Sequence, residues 1–305
     1  MDFTLLKQLC GIRGVSGDES HVKSFLLSYV EAQSHSWVAS PVVVHGEELQ
    51  DGILLVFGTP RTAVFSHMDT VGYTVGYGAE LIKIGGPSAE SGAILMGKDS
   101  VSEIECELHV SDQGTLSYLY HRDVERGTNL SYKEDFNQSD AYLQSPYLDN
   151  RLGVFVALKL AERMEHGIIA FTCYEEVGGG NTEVLARVIY ETYRVKQALI
   201  CDITWVTSGV QHGNGVAISL RDSGIPRKKF LETVLSIAKT SGVDYQIEVE
   251  SSGGSDGNAL QRSCYPFDWC FIGAAEDHVH SPGEKVAIKD VQDMLALYQV
   301  LLETL

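Results

Sequence analysis

"IIAFTCYEEVGGGN", Ile168 to Asn181, runs a series of strand-forming residues straight into two adjacent acids and three glycines. A strand with one face in water alternates apolar and polar residues, and this one does not, so both of its faces must be covered. Helices packed on either side of a sheet provide that cover. The same unbroken apolar character recurs in "GILLVFG" (52–58), "TAVFSH" (62–67), "ALICDI" (198–203) and "WCFIGA" (269–274), with further strand-like runs at "GVAISL" (215–220) and "YQIEVE" (245–250). Helical spacing of apolar residues separates several of these runs, at about 151–164, 182–194, 227–240 and 288–304. The expected architecture is an α/β/α sandwich around a mostly parallel or mixed central sheet.

Two helices are expected ahead of the first strand. Ser16 followed three residues later by Glu19 has the form of a capping box, and Val22, Phe25, Leu26, Tyr29 and Val30 then share one helical face. The segment 72–146 has a different texture. "SEIECELHV" alternates strictly, "SDQG" turns the chain, and "TLSYLYH" alternates again, as in a half-exposed hairpin. A small β-rich domain over 72–146 is therefore expected as an insertion into an α/β domain made of 1–71 and 147–305.

Composition excludes several classes. No apolar run approaches the roughly 18 residues that span a bilayer, and "MDFTLLKQLC" has no basic region before an apolar stretch, so the cytoplasm is the expected compartment and no membrane partner is expected. The formal charge of -18 over 305 residues disfavours nucleic acid, whose binding rests on Lys and Arg neutralising phosphates. Such a charge favours cationic ligands and equally serves solubility. The six cysteines form no C-x-x-C pair, which leaves no zinc ribbon or thioredoxin-like site.

Neighbouring residues of a regular strand point to opposite faces, so Glu175 and Glu176 share a site only if the chain leaves the extended conformation there. Gly178, Gly179 and Gly180 permit that departure. Ligands of open α/β sheets bind beyond the carboxyl ends of strands, which is where the pair falls. Two acids at one site suit a division of labour, one binding a metal and the other accepting a proton from water. They could equally be two solvated charges. Other polar residues occupy similar positions: His67 and Asp69 in "HMD" after the strand at 62–67, Asp149 in "SPYLDNRLG" before a helix, Asp202 at the end of "ALICD", and His280 in "EDHVHSPGE". A carboxylate at Asp69 can accept the second ring N–H of a metal-bound His67. Two histidines with several carboxylates suit a pair of zinc-like ions better than the oxygen-only shell of magnesium or calcium.

The ordered set H-x-D, D-N-R, E-E-V-G, D-x-T and H-S-P-x-E, preceded by "GVSGDE" at 14–19, resembles the tetrahedral, or glutamyl-type, aminopeptidase family of dinuclear metallopeptidases. The resemblance spans about residues 14 to 284. It implies an α/β catalytic domain interrupted by a β-barrel or PDZ-like domain that serves assembly. It further implies two divalent ions per subunit, zinc or alternatively cobalt, with His67 and Asp202 on one, Glu176 and His280 on the other, and Asp149 bridging. Glu175 would then be the general base and Asp69 the residue that orients His67. Peptides with a free N-terminus are the implied substrates, and a homo-oligomer, a dodecamer in the family, is the implied assembly. The chain departs from the family pattern after E-E-V-G, where Gly179, Gly180 and Asn181 stand. "SSGGSDGNA" (251–259) resembles a family segment near the substrate.

Three alternatives remain at this stage. A dipeptidase or N-acyl amino acid deacylase could use the same metal set. A glycoside hydrolase could use Glu175 and Glu176 as its acid pair, although that leaves the histidines without a role. A noncatalytic assembly protein could retain the residues without turnover.

Overall fold

The computed structural model describes residues 1–305. In chain order its helices are α1 (Thr4–Cys10), α2 (Ser20–Gln33), α3 (Leu148–Ala161), α4 (Thr182–Tyr193), α5 (Lys228–Ser241), α6 (Asp256–Arg262) and α7 (Ile288–Thr304). The strands begin with β1 (Val42–Val44), β2 (Ile53–Phe57), β3 (Thr62–His67), β4 (Gly72–Val75), β5 (Leu81–Ile84), β6 (Ile94–Lys98), β7 (Glu103–Val110), β8 (Leu116–Leu119) and β9 (Asn129–Tyr132). They continue with β10 (Asn137–Gln138), β11 (Tyr142–Gln144), β12 (Gly167–Thr172), β13 (Gln197–Trp205), β14 (Val216–Arg221), β15 (Tyr245–Val249), β16 (Asp268–Asp277) and β17 (Lys285–Ala287).

Eleven strands form one mixed sheet in the order β1-β2-β12-β3-β13-β16-β17-β11-β10, with β14 and β15 branching from β16. Its centre is parallel: β12 pairs with β3, β3 with β13, and β13 with β16, all in the same direction. The residues of these strands divide by parity. Leu55, Val64, Ile169, Phe171, Leu199 and Ile272 face a large core with α1, α2, α3, α5 and α7. Leu54, Phe65, Ile168, Ala170, Ile200 and Phe271 face a second core with α4 and α6. The unbroken apolar runs at the centre of these strands thus have the expected cause, two apolar cores on opposite faces of one sheet. No helix is long and apolar enough to cross a membrane.

A second, six-stranded antiparallel sheet runs in the order β5-β4-β9-β6-β7-β8. The expected hairpin is β7 and β8, paired from Glu107 with Leu119 to Val110 with Leu116. Along β7 exposed and buried residues alternate, with Ile104, Cys106 and Leu108 in a third core beside Tyr73, Leu95 and Tyr132. This sheet ends at Tyr132, ahead of the boundary expected at residue 146. The short strands between those points belong to the large sheet, because β11 pairs with β17 and β10 with β11. Too brief to carry a hydrophobic pattern, they gave no signal of which sheet they join.

One local expectation is overturned. Ser16 and Glu19 form no capping box: α2 starts at Ser20 with Glu19 itself at the cap position and no side-chain cap bond. Both side chains are drawn instead to partners distant in sequence, described next.

Candidate metal centre

Because β3, β12, β13 and β16 are parallel, their carboxyl ends lie along one edge of the sheet. His67 is the last residue of β3 and lies in register with Thr172, the last of β12. Asp202 was expected at a strand end, yet β13 continues to Trp205, so this carboxylate projects from within the strand. His280 follows β16 in a loop where its own backbone is left-handed, at φ 64°. Asp149 stands at the start of α3, before the regular helical backbone is established.

The two glutamates share the site by the route their glycines suggested. After β12 the backbone turns left-handed at Tyr174 (φ 63°), and Glu175–Val177 form a single 3-10 turn ended by Gly178 at φ 119°. Gly180 meets the Tyr174 ring so closely that a Cβ there would lie 2.6 Å from Tyr174 Cβ. Asn181 closes the loop, accepting the Cys173 N–H with its side-chain oxygen and donating to the Leu49 carbonyl.

His67, Asp149, Glu175, Glu176, Asp202 and His280 all line one cleft. His67 Nε2 lies 3.2 Å from Asp149 Oδ1 and 3.4 Å from Asp202 Oδ2. His280 Nε2 lies 3.2 Å from Asp149 Oδ2 and 3.0 Å from Glu176 Oε2. Asp149 therefore turns one oxygen to each histidine. Glu175 is set back, with Oε2 3.9 Å from His67 Nε2.

Both rings are fixed from behind. His67 Nδ1 donates to the main-chain oxygen of Asp69 at 3.2 Å, and His280 Nδ1 donates to the main-chain oxygen of Gly86 at 3.2 Å, which leaves each Nε2 facing the carboxylates. Gly86 belongs to the loop after β5, so the smaller sheet supplies one of these supports. The Asp69 carboxylate was expected to orient His67, but its Oδ1 is 3.5 Å away, farther than the main-chain oxygen. Its oxygens accept instead the N–H groups of Glu175 and Glu176, each at 3.1 Å, and the Ser16 hydroxyl at 2.6 Å. Glu19 accepts the Tyr174 N–H at 3.2 Å, the other displaced member of the expected capping box. Sequence reasoning also missed Glu284, whose two oxygens take the N–H groups of Asp149 and His280, each at 3.0 Å, and Ser255, whose hydroxyl donates to Asp202 Oδ2 at 2.6 Å. The H-S-P-x-E motif contained Glu284; only its partners were illegible.

The electrostatics are those of a cation site. Burial would lower the pKa of His67, but Asp202 and Asp149 outweigh it and raise the ring well above its ordinary value. His280 is likewise disfavoured by burial, yet Asp149 and Glu176 lift it to about 11. Burial, reinforced by Asp149, pushes Glu176 up to about 7 against the pull of His280. Burial also raises Glu175 well above the carboxylate range, opposed by His67 and supported by Asp202 and Glu176. All four groups are thus shifted toward their protonated forms, the response of crowded carboxylates and their neighbours at a site that favours positive charge.

The donors fit metal ions. His67, Asp149 and Glu176 each offer an atom within 4.8 Å of the others. Two ligands on a tetrahedral zinc with bonds of about 2.0–2.2 Å are separated by about 3.4 Å, close to the observed 3.0–3.4 Å between each Nε2 and its carboxylates. Glu176 Oε1 is buried without a hydrogen-bond partner. No Lys or Arg lines the cleft to neutralise these acids.

Comparison with known proteins gives a consistent picture. The profile of the M42 glutamyl aminopeptidase family matches residues 103–297. A protein of Acetivibrio thermocellus that carries the name "Putative aminopeptidase" is 25% identical over 333 residues, covering 97% of this chain and 96% of its own length. The aminopeptidase APDkam598 of the archaeon Desulfurococcus kamchatkensis superposes with a TM-score of 0.87 at 19% identity, over 99% of this chain and 94% of that one. The TET1 peptidase of Pyrococcus horikoshii, described as assembling into a tetrahedron or a large octahedral shell, gives a TM-score of 0.83 at 22% identity over 98% of both chains.

Proposed function

Because the chain belongs to the M42 glutamyl aminopeptidase family, and is thereby an aminopeptidase, we propose that it removes N-terminal residues from peptides at a two-metal centre with Glu175 as general base. His67 and Asp202 would hold one divalent ion, Glu176 and His280 the second, and Asp149 would bridge the two. Zinc suits this mixed nitrogen and carboxylate set, with cobalt as the alternative. Bound there, such ions lower the pKa of water from about 15.7 toward 7 and polarise a carbonyl.

The proton transfers belong to the protein. Glu175 stands beside the centre, set back from His67 relative to Asp149 and Asp202. That position lets it take a proton from the attacking water and hold it until the leaving amine receives it. A carbon–oxygen bond forms, the peptide carbon–nitrogen bond breaks, and the water proton travels by way of Glu175 to the nitrogen. Asp69 positions Glu175 and Glu176 through their main-chain N–H groups, while Glu284 positions Asp149 and His280.

The observation that carries this reading is the division of the Asp149 oxygens between two histidines whose Nδ1 atoms are both tied back. A glycosidase needs neither histidine. The test measures metal content and release of aminoacyl-coumarins in one preparation, before and after chelation. About two metals per chain, activity lost on chelation and restored by zinc or cobalt, and no cleavage of N-blocked substrates are the expected results. Cleavage restricted to N-acylated substrates would establish a deacylase instead.

The reading extends to assembly, with a homo-oligomer, twelve subunits by the resemblance, as the expected form. In support, the smaller sheet and its loops expose Tyr77, Ile82, Val101 and Leu119, and apolar side chains of this kind are what subunit contacts bury. Light scattering gives the subunit count.

A further inference from the structure

The cleft that contains the metal centre continues past it. Its volume is about 280 Å³, and beyond the ligands and Glu175 it is lined by Asp222, Glu248 and Glu250, from the carboxyl ends of β14 and β15. Three apolar side chains, Ile203, Trp205 and Phe271, also line it, with Thr204, Thr207 and the segment 252–254.

These acids are held in an unusual way. Asp222 and Glu248 are only 6% and 4% exposed. Each gives one oxygen to the protein, Asp222 to the Gly224 N–H and Glu248 to the Thr204 hydroxyl; the second oxygen of each has no protein partner, and both residues line the cleft. Arg221 adjoins Asp222 in sequence, yet its guanidinium donates to the main-chain oxygens of Asp222 and Glu250 and leaves their carboxylates free. Burial raises Asp222 to about 6, which still leaves it ionised at neutral pH. Two divalent ions would offset the four carboxylates of the centre, Asp149, Glu175, Glu176 and Asp202. The three further acids form no salt bridge, and the one cation beside them, Arg221, acts on Asp222 from behind while bonded to main-chain oxygens. Buried carboxylates are costly without a cation, so a ligand that brings one is favoured over one that does not.

We propose that this extension of the cleft is a subsite for a cationic N-terminal side chain, so that peptides beginning with lysine or arginine are the preferred substrates. The inference rests on the aminopeptidase reading above. With the scissile carbonyl at the centre, the first residue's side chain enters the space that adjoins it, its methylene stem against Ile203, Trp205 and Phe271 and its charged end toward Asp222, Glu248 and Glu250. An N-terminal glutamate would meet the same acids and be repelled. Long basic side chains have the required form, an apolar stem with a charged tip.

The test compares kcat/KM of the metal-loaded enzyme for coumarin amides of lysine, arginine, norleucine, citrulline and glutamate. Norleucine and citrulline keep the length of lysine and arginine without the charge. The expected result is a preference of roughly tenfold or more for lysine over norleucine and for arginine over citrulline, with glutamate poorest. Glu250→Gln and Glu248→Gln should each narrow the lysine to norleucine ratio, mainly through KM. Glu250→Lys, at a half-buried position that tolerates exchange, should move the ranking toward glutamate. Equal turnover of lysine and norleucine, or a preference for glutamate, overturns the proposal while leaving an aminopeptidase. No cleavage of any free-amine substrate overturns both. A third bound metal per chain that Glu248→Gln and Glu250→Gln both remove would assign these acids to an ion and overturn the subsite.

Discussion

Asp69 grips the main chain of Glu175, its Oδ1 accepting the Glu175 N–H at 3.1 Å across 106 residues of sequence. Its other oxygen does the same for Glu176, at 3.1 Å. A single buried carboxylate thereby sets the turn that aims two neighbouring acids at one centre, which an extended strand cannot do. Replacing it with Asp69→Asn keeps the shape but confronts at least one N–H with an amide donor. Expected are a fall in kcat of roughly 10- to 100-fold and weaker metal retention, by analogy with other residues that support ligands from behind. Activity and metal titration check both. Unchanged kcat and affinity would mean that the glycines alone hold the turn.

Glu175→Gln removes the proton acceptor and leaves the ligand set intact. Turnover should fall by roughly 10²- to 10⁴-fold, the range for loss of a general base, while metal content stays near that of the wild type. Elemental analysis beside steady-state rates makes the comparison. Loss of metal in parallel with activity would recast Glu175 as a ligand.

Glu284→Gln tests the support behind Asp149 and His280, whose N–H groups each meet one Glu284 oxygen at 3.0 Å. An amide can accept from only one of them with its oxygen and must turn an N–H toward the other. Metal affinity should weaken about 10- to 100-fold with the fold preserved, measured by competition with a chromogenic chelator and by circular dichroism. Undiminished affinity would leave Glu284 as a packing residue.

Gly85 couples the smaller sheet to the centre. Its φ is +67°, and a Cβ there would lie 3.1 Å from the Glu176 main-chain oxygen and 3.2 Å from Glu176 Cβ. Gly85→Ala should lower kcat several-fold by displacing Glu176. Gly78→Ala provides the control, since Gly78 has φ +64° with no atom within 4 Å of the added carbon. Both variants bear the backbone strain of a left-handed alanine, on the order of 1 kcal/mol, and only the first should alter catalysis.

Acid stability of the smaller domain should depend on Asp99. Arg122 grips both of its oxygens and the Val101 and Ser102 N–H groups add to the hold, so its carboxyl sits well below the usual carboxylate range, against a smaller opposing effect of burial. A depressed folded-state pKa contributes stability that is complete above the unfolded value, about 3.9, and that is lost as pH falls below it toward the folded value. Asp99→Asn should lower the melting temperature by an amount constant from pH 8 to about 5, then shrinking below about 4. Thermal unfolding across that range shows it. A deficit that persists undiminished in acid would trace to lost packing rather than to charge.

The large sheet was legible because its signal is local. Ile168 to Phe171 are apolar on both faces, and the structure places two cores there; Glu103 to Val110 alternate, and the structure gives them one buried face. The candidate ligands were legible as residue types at strand ends and in short motifs. Misreadings arose where a local pattern had a distant competitor. Ser16 and Glu19 have capping-box spacing, but the Ser16 hydroxyl reaches Asp69 and the Glu19 carboxylate reaches Tyr174.

Sequence alone determined the long core strands and most of the helices, where a half-exposed sheet interrupts them, and which side chains have the chemistry to hold metal, since each follows from periodicity or residue type within a few neighbours. Tertiary structure alone decided that His67, Asp149, Glu176, Asp202 and His280 meet, that Asp69 and Glu284 act through main-chain N–H groups, and that Asp222, Glu248 and Glu250 line the same cleft without a salt bridge. Hydrogen bonds and charges act through space over a few ångströms, and parallel strands bring into that range residues separated by a hundred or more positions, a distance that no local pattern encodes.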